Sequence, residues 1–329
     1  MNNSGVDTEE LKAEKKISGN VIVSVVIPNY NHSAYLGQRI DSVLNQTFSD
    51  MEVIILDDCS SDNSLGVIKM YKDHPKVAHV LINEANSGST FLQWKKGIEL
   101  ARGEWIWIAE SDDWCEPNFL ETLLKEVDAQ TAIAFCQSTV VDAENSILWK
   151  TTSDQLINKV QGKTFFRMHW DYNQIINASM AIFRKEKYNK IQQHFLKWKY
   201  IGDWVFWLEL AMQGSVIISG KNLNYFRKHP RDIQSKALLE GVWHLEKLET
   251  IALFSKEGLI SDKEADSARK KEFVRYLVNR KWIIPVKRKE LYHHFKTSIG
   301  LGIYPFYLKN KVLVLLRKII RAIRGKKAA

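Results

Sequence analysis

Along the first third of the chain, short and almost unbroken apolar runs alternate with stretches whose apolar positions recur every three or four residues. Residues 21–27 form one such run, rich in β-branched side chains and interrupted only at Ser24, which predicts a buried strand. Pro28-Asn29-Tyr30-Asn31 predicts a loop, and Leu36, Ile40, Val43 and Leu44 then share one face of a helix reaching about Thr47. The pattern repeats with a strand at 53–56, the capping-rich turn Asp57-Asp58-Cys59-Ser60-Ser61-Asp62, and a helix through Ile68. A third strand at 77–82, a turn at Asn86-Ser87-Gly88, a helix over 90–101 closed by Gly103 and a fourth strand at 105–109 follow. Continuous apolar strands alternating with helices imply an α/β fold, Rossmann-like, with a mostly parallel sheet covered on both faces.

Sheets of this kind bind ligands beyond the carboxyl ends of their strands, which gathers Asn29, Tyr30, Asp57, Asp58, Glu110, Asp112 and Asp113 along one edge. The fourth strand ends in Glu110-Ser111-Asp112-Asp113. Desolvating so many anions together is costly unless a cation arrives. A hard divalent ion takes one or two carboxylates together with substrate phosphate oxygens, so the stretch predicts a metal–diphosphate site. The residues alone also permit a plainer role, in which Asp112 and Asp113 cap a helix starting near Pro117. No G-x-G-x-x-G follows the first strand and no G-x-x-x-x-G-K-[ST] loop is present, so a glycine-cradled phosphate is not expected.

Composition narrows the picture modestly. The 329 residues, 45% hydrophobic and 26% charged, suit one large or two smaller globular domains. Three cysteines at 59, 115 and 136 lack metal-type spacing and fit a reducing cytosol, with Cys115 expected as a packed thiol. Residues 1–20 are polar, without an apolar signal core, and are expected to form a mobile arm. A net charge of +9 admits nucleic acid, an anionic membrane surface or phosphorylated substrates, and much of the excess lies in the last few dozen residues.

Four ordered segments carry a resemblance. Val25-Val26-Ile27-Pro28-Asn29-Tyr30-Asn31, Ser42-Val43-Leu44-Asn45-Gln46-Thr47, Glu52 through Asp62, and Gly103 through Asp113 closely resemble the nucleotide-binding half of family 2 glycosyltransferases with the GT-A fold. The resemblance covers residues 22–118 and continues more weakly to about 235. It implies that Pro28, Asn29 and Tyr30 line the base-binding loop, with Tyr30 stacking on the base. Asp58 would accept a hydrogen bond from a base N–H, with Asp57 beside it; uracil, thymine or guanine could offer that donor. Asp112 would hold the ribose and share the metal, Asp113 would ligate Mg²⁺ or Mn²⁺, and Glu110 stands where the family usually has Asp. Lys95, in Gln93-Trp94-Lys95-Lys96, stands where the family often has an Arg-Asn pair; either it supplies the missing positive charge or that donor contact is absent.

Further along, Asp203 opens a predicted helix running to Gly214 and matches the family's catalytic base, although the usual Glu-Asp reads Gly202-Asp203 here. A base within reach of the acceptor hydroxyl is what an inverting transfer needs, because an alcohol is a weak nucleophile until its proton leaves; the plainer alternative is a helix cap. Trp198, Trp204 and Trp207 are candidates to stack on an acceptor sugar or to fill the core. Tyr225-Phe226-Arg227-Lys228-His229-Pro230 resembles the family's Tyr-Arg-x-His segment, in which Arg227 and His229 would face the departing diphosphate and His229 could ligate the metal.

These readings imply an arm at 1–20, a catalytic domain at 21–234 and a helical region at 235–329. Within that last region Leu308, Val312, Leu315, Leu316, Ile319, Ile320 and Ile323 mark one face of a basic amphipathic helix suited to an anionic bilayer surface, the catalytic domain or a second subunit. The function expected is metal-dependent transfer of a sugar, most simply from a UDP-sugar, to a saccharide or lipid-linked saccharide in surface polysaccharide or lipopolysaccharide synthesis, in the cytoplasm or on the inner face of the membrane. A nucleotidyltransferase would need a glycine-rich basic loop after the first strand. A nucleic-acid-binding protein would leave the acidic edge unexplained, so no nucleic acid partner is expected.

Overall fold

In chain order the first elements are β1 (Ala13–Glu14), β2 (Val23–Asn29), α1 (Ser33–Leu44), β3 (Met51–Asp57), α2 (Ser64–Tyr71), β4 (Val77–Ile82), α3 (Thr90–Leu100) and β5 (Trp105–Ile108). Then come β6 (Trp114–Cys115), α4 (Phe119–Leu124), β7 (Thr131–Val141), β8 (Ile147–Lys150), β9 (Ile157–Gln161), α5 (Gly162–His169), β10 (Ala181–Arg184), α6 (Lys185–Tyr188), α7 (Gly202–Ala211) and β11 (Ser215–Arg227). Three further helices close the described chain: α8 (Val242–Lys256), α9 (Asp262–Asn279) and α10 (Pro285–Ile299). The computed structural model describes residues 13–15, 19–229, 237, 239–300, 305 and 308. The basic amphipathic stripe expected over 308–324 therefore lies outside the described residues, save for Leu308.

Every position of β2, β3, β5 and β7 is buried, which is why these strands read as unbroken apolar runs rather than alternating ones. The sheet runs in the order β1-β4-β3-β2-β5-β10-β7-β11-β6, with β8 beside β7 and β9 beside β11. Pairings β2–β3, β3–β4, β2–β5 and β7–β11 are parallel, whereas β10 runs antiparallel to both β5 and β7. Helix α1 buries Leu36, Ile40 and Val43 against this sheet, and with them Arg39, which has no exposed surface. Helix α3 lies close on β2 because Gly97 faces it: an added Cβ there would run into the Val26 side chain.

Several boundaries differ from expectation for local reasons. Pro28 does not open a loop; it sits inside β2 opposite Leu56, and the strand runs on to Asn29. Ala178–Met180 form a 3₁₀ turn before β10, which frees the Asn177 and Ser179 side chains to reach Asp113. Within the stretch read as an arm, Ala13 and Glu14 pair antiparallel with Val80 and His79.

The chain divides into two compact units, Met1–His229 and Pro230–Ala329. In the second, Phe273, Tyr276, Ile283, Leu291 and Phe295 form the core, with Leu248 at its margin. Ser261 begins α9 with a capping box, its side chain accepting from the Glu264 backbone while Glu264 reaches back.

Candidate active site

The loops that leave β2 and β3 are stitched together by short polar side chains. Asp57, 1% exposed, accepts from Asn29 Nδ2 at 2.7 Å, Ser60 Oγ at 2.7 Å and the Ser60 backbone N–H at 2.8 Å. Asn31 adopts the left-handed conformation at φ 57°, which asparagine tolerates, and its Oδ1 accepts from the Ser61 backbone at 2.7 Å. Tyr30 is left standing outward with 47% of its surface exposed.

Asp58 organises a second layer. Its Oδ1 accepts from Asn83 Nδ2 at 2.7 Å, the Ser87 backbone at 2.9 Å and Gln93 Nε2 at 3.0 Å. Among the described residues its Oδ2 accepts only from Ser87 Oγ, at 2.8 Å, which leaves that oxygen capacity for one more donor. Lys95 does not bring positive charge to this group: it lies on the solvent side of α3, 3.7 Å from Glu99. Its neighbours turn inward instead, Gln93 to Asp58, Trp94 Nε1 to Glu110 at 2.8 Å and Lys96 Nζ to Asn83 at 2.7 Å.

The acidic motif at the end of β5 splits into an inner and an outer half. Asp113 is 1% exposed; its Oδ2 accepts from Asn177 Nδ2 and Ser179 Oγ, each at 2.6 Å, and its Oδ1 from the Arg227 backbone at 2.9 Å. The guanidinium of buried Arg39 lies 4.0 Å away and donates Nε to the Glu110 carbonyl at 2.9 Å, while Nη1 and Nη2 make no hydrogen bond among the described residues. Asp113 is thus occupied by its own protein, and the expectation that it faces an open cleft to ligate a metal does not fit this geometry. Asp112 does face outward. Its Oδ2 lies 3.1 Å from His229 Nε2, and the His229 ring stacks on that of His32 at 5.8 Å.

His32, Asp112 and His229 are partly exposed, and their candidate ligand atoms lie within 4.8 Å of one another. His32 Nδ1 sits 2.8 Å from Ser111 Oγ, so Nε2 is the ring atom available to a metal. One carboxylate and two imidazoles are a fitting donor set for a divalent transition ion. Sequence reading missed His32, and the only signal was its place immediately after the Asn29-Tyr30-Asn31 loop.

Arg227 is another correction. The residue is 2% exposed and its guanidinium is spent on protein acceptors, with Nε on the Asp112 carbonyl at 2.9 Å, Nη1 on Asn145 Oδ1 at 2.7 Å and Nη2 on Gln38 Oε1 at 3.1 Å. It also lies over the rings of Tyr35 and Trp114. It clamps β11 to the acidic motif and is not presented to a diphosphate.

Asp203 occupies the first turn of α7, but the cap position is Ile201; its Oδ2 accepts from Asn173 Nδ2 at 3.1 Å. Two paths tie this carboxylate to the acidic motif. Asn173 and Asn177, four residues apart, hold Asp203 and Asp113 respectively, and such a segment spans at most ~14 Å between its Cα atoms. The second path runs through Gly202, where an added Cβ would collide with the Phe91 ring and lie 2.6 Å from the Phe195 carbonyl. Phe91 in turn packs edge-on to Trp94, the residue bonded to Glu110. The same crowding explains why no glutamate precedes Asp203. Trp198, Trp204 and Trp207 are all buried and belong to the core, not to an acceptor surface.

Charge is under tension here. Burial, followed by the neighbouring Asp112 charge, pushes Glu110 up to about 8 and Asp113 up to about 7. Burial also raises Asp112, but the hydrogen bond from His229 and the charges of His32 and His229 outweigh it and hold that carboxyl below its usual value. The bond to Asp112 in turn raises His229. Burial pushes the Cys115 thiol up to about 11, in keeping with an inert packed residue.

Comparison with known proteins adds four findings. The profile of Glycosyl transferase family 2 matches residues 24–192. The glycosyltransferase GlyG of Streptococcus pneumoniae is 27% identical over 64% of this chain and 72% of its own length. The chondroitin synthase of Escherichia coli is 30% identical over 49% of this chain, which spans only 25% of that larger protein. Among solved structures, S. aureus TarS 1–349 in complex with UDP-GlcNAc superposes with a TM-score of 0.60 at 18% identity, over 88% of this chain and 79% of that one.

Two outcomes follow from the geometry. Replacing Arg39 by Met removes the buried counter-charge of Asp113 and should cost about 3 kcal/mol in urea unfolding, because an uncompensated buried charge remains. Glu110, Asp113 and His229 hold protons more tightly when folded, so their stabilisation is complete below the unfolded pKa values and is lost as pH rises through the folded ones. Asp112 acts oppositely, losing its contribution only as pH falls through its depressed value. Metal-free protein should therefore melt lower at pH 8.5 than at pH 5.5, by roughly 3 °C or more in scanning calorimetry.

Proposed function

The chain belongs to glycosyl transferase family 2, and from that premise we propose that it transfers a sugar, with inversion, from a nucleotide-diphosphate donor to a hydroxyl of a saccharide acceptor. The observation that carries the reading is the pairing of an outward donor cluster, His32, Asp112 and His229, with a carboxylate, Asp203, tied to the same neighbourhood through Asn173. A UDP-sugar is the favoured donor, supported by the UDP-GlcNAc complex of TarS. An acceptor belonging to a surface polysaccharide, free or lipid-linked, is supported by the names of the polysaccharide-synthesising relatives.

Tyr30 offers an exposed ring for the nucleobase to stack on, and Asp58 Oδ2 retains acceptor capacity for a base N–H. Asp112 with His229 and His32 would hold the divalent ion, whose chemistry when bound is to neutralise the diphosphate. Two imidazoles favour Mn²⁺ over Mg²⁺, because Mg²⁺ prefers an all-oxygen shell. Asp203 takes the proton of the acceptor hydroxyl as its oxygen bonds to the anomeric carbon, while the bond from that carbon to the diphosphate oxygen breaks on the opposite face. Glu110 and Asp113 do not touch the reacting atoms in this reading; they shape the shelf from which Asp112 projects. The nucleotidyltransferase alternative finds no support in the loop after β2, which carries no glycine and no basic side chain before His32.

Asp203→Asn should lower kcat by about 10²- to 10⁴-fold, the usual range for losing a general base, with the calorimetric affinity for UDP-sugar little changed. Unaltered turnover would remove Asp203 from the reaction. Asp112→Asn should abolish the bound Mn²⁺ signal in electron paramagnetic resonance while the protein stays folded. Asp113→Asn should instead lower the unfolding midpoint, because an amide in place of the carboxylate sets a donor against Asn177 or Arg227. If Asp113→Asn loses the ion and Asp112→Asn keeps it, the assignment of the two carboxylates is reversed.

A further inference from the structure

The turn between α9 and α10 in the second unit presents apolar side chains to solvent where a folded protein ordinarily hides them. Trp282 is 58% exposed, Val278 53%, Ile284 46% and Val286 70%. Leu239, 45% exposed, joins them through its carbonyl, which accepts the Ile284 N–H at 3.0 Å. Between Trp282 and Ile284, Ile283 points the other way and is sealed in the core with Phe273 and Phe295. The turn is therefore held in shape from beneath while its outer residues stay uncovered. Arg288 adds a second restraint, donating Nε to the Ile283 carbonyl at 2.7 Å and Nη2 to the Lys281 carbonyl at 3.1 Å.

The charged residues between Glu272 and Glu290, which include the turn, are all basic. Arg280, Lys281 and Lys289 are exposed, Lys281 Nζ lies 4.5 Å over the Trp282 ring, and no acidic residue occurs between Glu272 and Glu290. Lys287 pairs with Glu290, and Glu240 follows Leu239, so the nearest acids flank the tip and do not interrupt it. A Trp amid short aliphatic side chains, ringed by Lys and Arg, matches the layered chemistry of a bilayer interface, where an indole seats at headgroup level and cations meet anionic lipid. No described helix is long and apolar enough to cross a membrane. We infer that the α9–α10 turn is a peripheral contact with an anionic lipid surface, with Trp282, Ile284 and Val286 entering the interface and Arg280, Lys281 and Lys289 meeting the headgroups. A second copy of the chain fits less well, because it would bring the same positive charge to the patch. This inference stands apart from the reaction proposed above.

The test uses the full chain with Cys59→Ser and Val286→Cys, labelled at the new cysteine with an environment-sensitive fluorophore. Vesicles of phosphatidylcholine with about a third phosphatidylglycerol should shift the emission to the blue, whereas pure phosphatidylcholine should not, and 0.5 M salt should reverse the shift. In co-sedimentation, Arg280→Glu with Lys281→Glu should weaken binding at least roughly tenfold, each cation near the surface being worth about a factor of five. Circular dichroism would show the variants folded. Emission that stays unshifted, whether the chain sediments with vesicles or not, overturns the inference. So does a shift that grows with protein concentration alone, which would mark a self-association face, or one produced equally by duplex DNA.

Discussion

A carboxylate sealed inside the sheet is the constraint on which the active-site architecture depends. Asp113 can be buried only because donors reach it from several directions: Asn177 and Ser179 from the turn before β10, the Arg227 backbone from the end of β11, and the Arg39 charge from α1 beneath. Each of these comes from a distant part of the sequence. Meeting the hydrogen-bonding demand of one anion therefore fixes the relative positions of four segments, because a buried acceptor left short of donors costs more than the contacts around it return.

The same division into inner and outer members recurs across the proposed nucleotide side. Asp57 is consumed by Asn29 and Ser60, and its neighbour Asp58 keeps part of one oxygen free; Asp113 is consumed, and its neighbour Asp112 looks outward. In both pairs the inner carboxylate rigidifies the backbone that aims the outer one, as a second layer of hydrogen bonds does in engineered sites. Arg227 belongs with the inner group. Its guanidinium closes onto protein carbonyls and two aromatic faces, and the residue two positions on, His229, inherits a fixed direction toward Asp112.

What could be read from sequence alone follows this layering. Strands buried on both faces declare themselves by composition, so β2, β3, β4 and β5 were legible, and with them the edge on which Asn29, Asp58 and Asp112 fall. The choice between Asp112 and Asp113 was not legible, since a one-residue step decides which carboxylate turns inward and the deciding partners, Asn177 and Ser179, lie more than sixty residues away. Lys95 misled for a similar reason. Charge pattern shows that a cation is near in sequence, whereas helix phase decides that Gln93 and Trp94 face inward and Lys95 does not. Gly202 is the converse case: it departs from the family's usual Glu-Asp pair, and the structure supplies a steric cause in Phe91 and the Phe195 carbonyl.

The energetics of the cluster connect fold to reaction. Glu110 and Asp113 are raised far above ordinary carboxylates by burial and by Asp112, so the metal-free site holds protons where a bound cation would hold charge. In the proposed reading, a divalent ion held by Asp112 would favour the ionised forms and would make the neighbourhood attractive to a diphosphate. Cation binding would then stabilise the fold as well as the ligand, by about 2.7 kcal/mol when the ion is at a hundred times its dissociation constant. That linkage gives an order to assembly. In the proposed reading, an anionic donor arriving before the cation would meet the Asp112 carboxylate, and with the cation held there the shelf that Asp113 anchors would offer a pyrophosphate a place to rest.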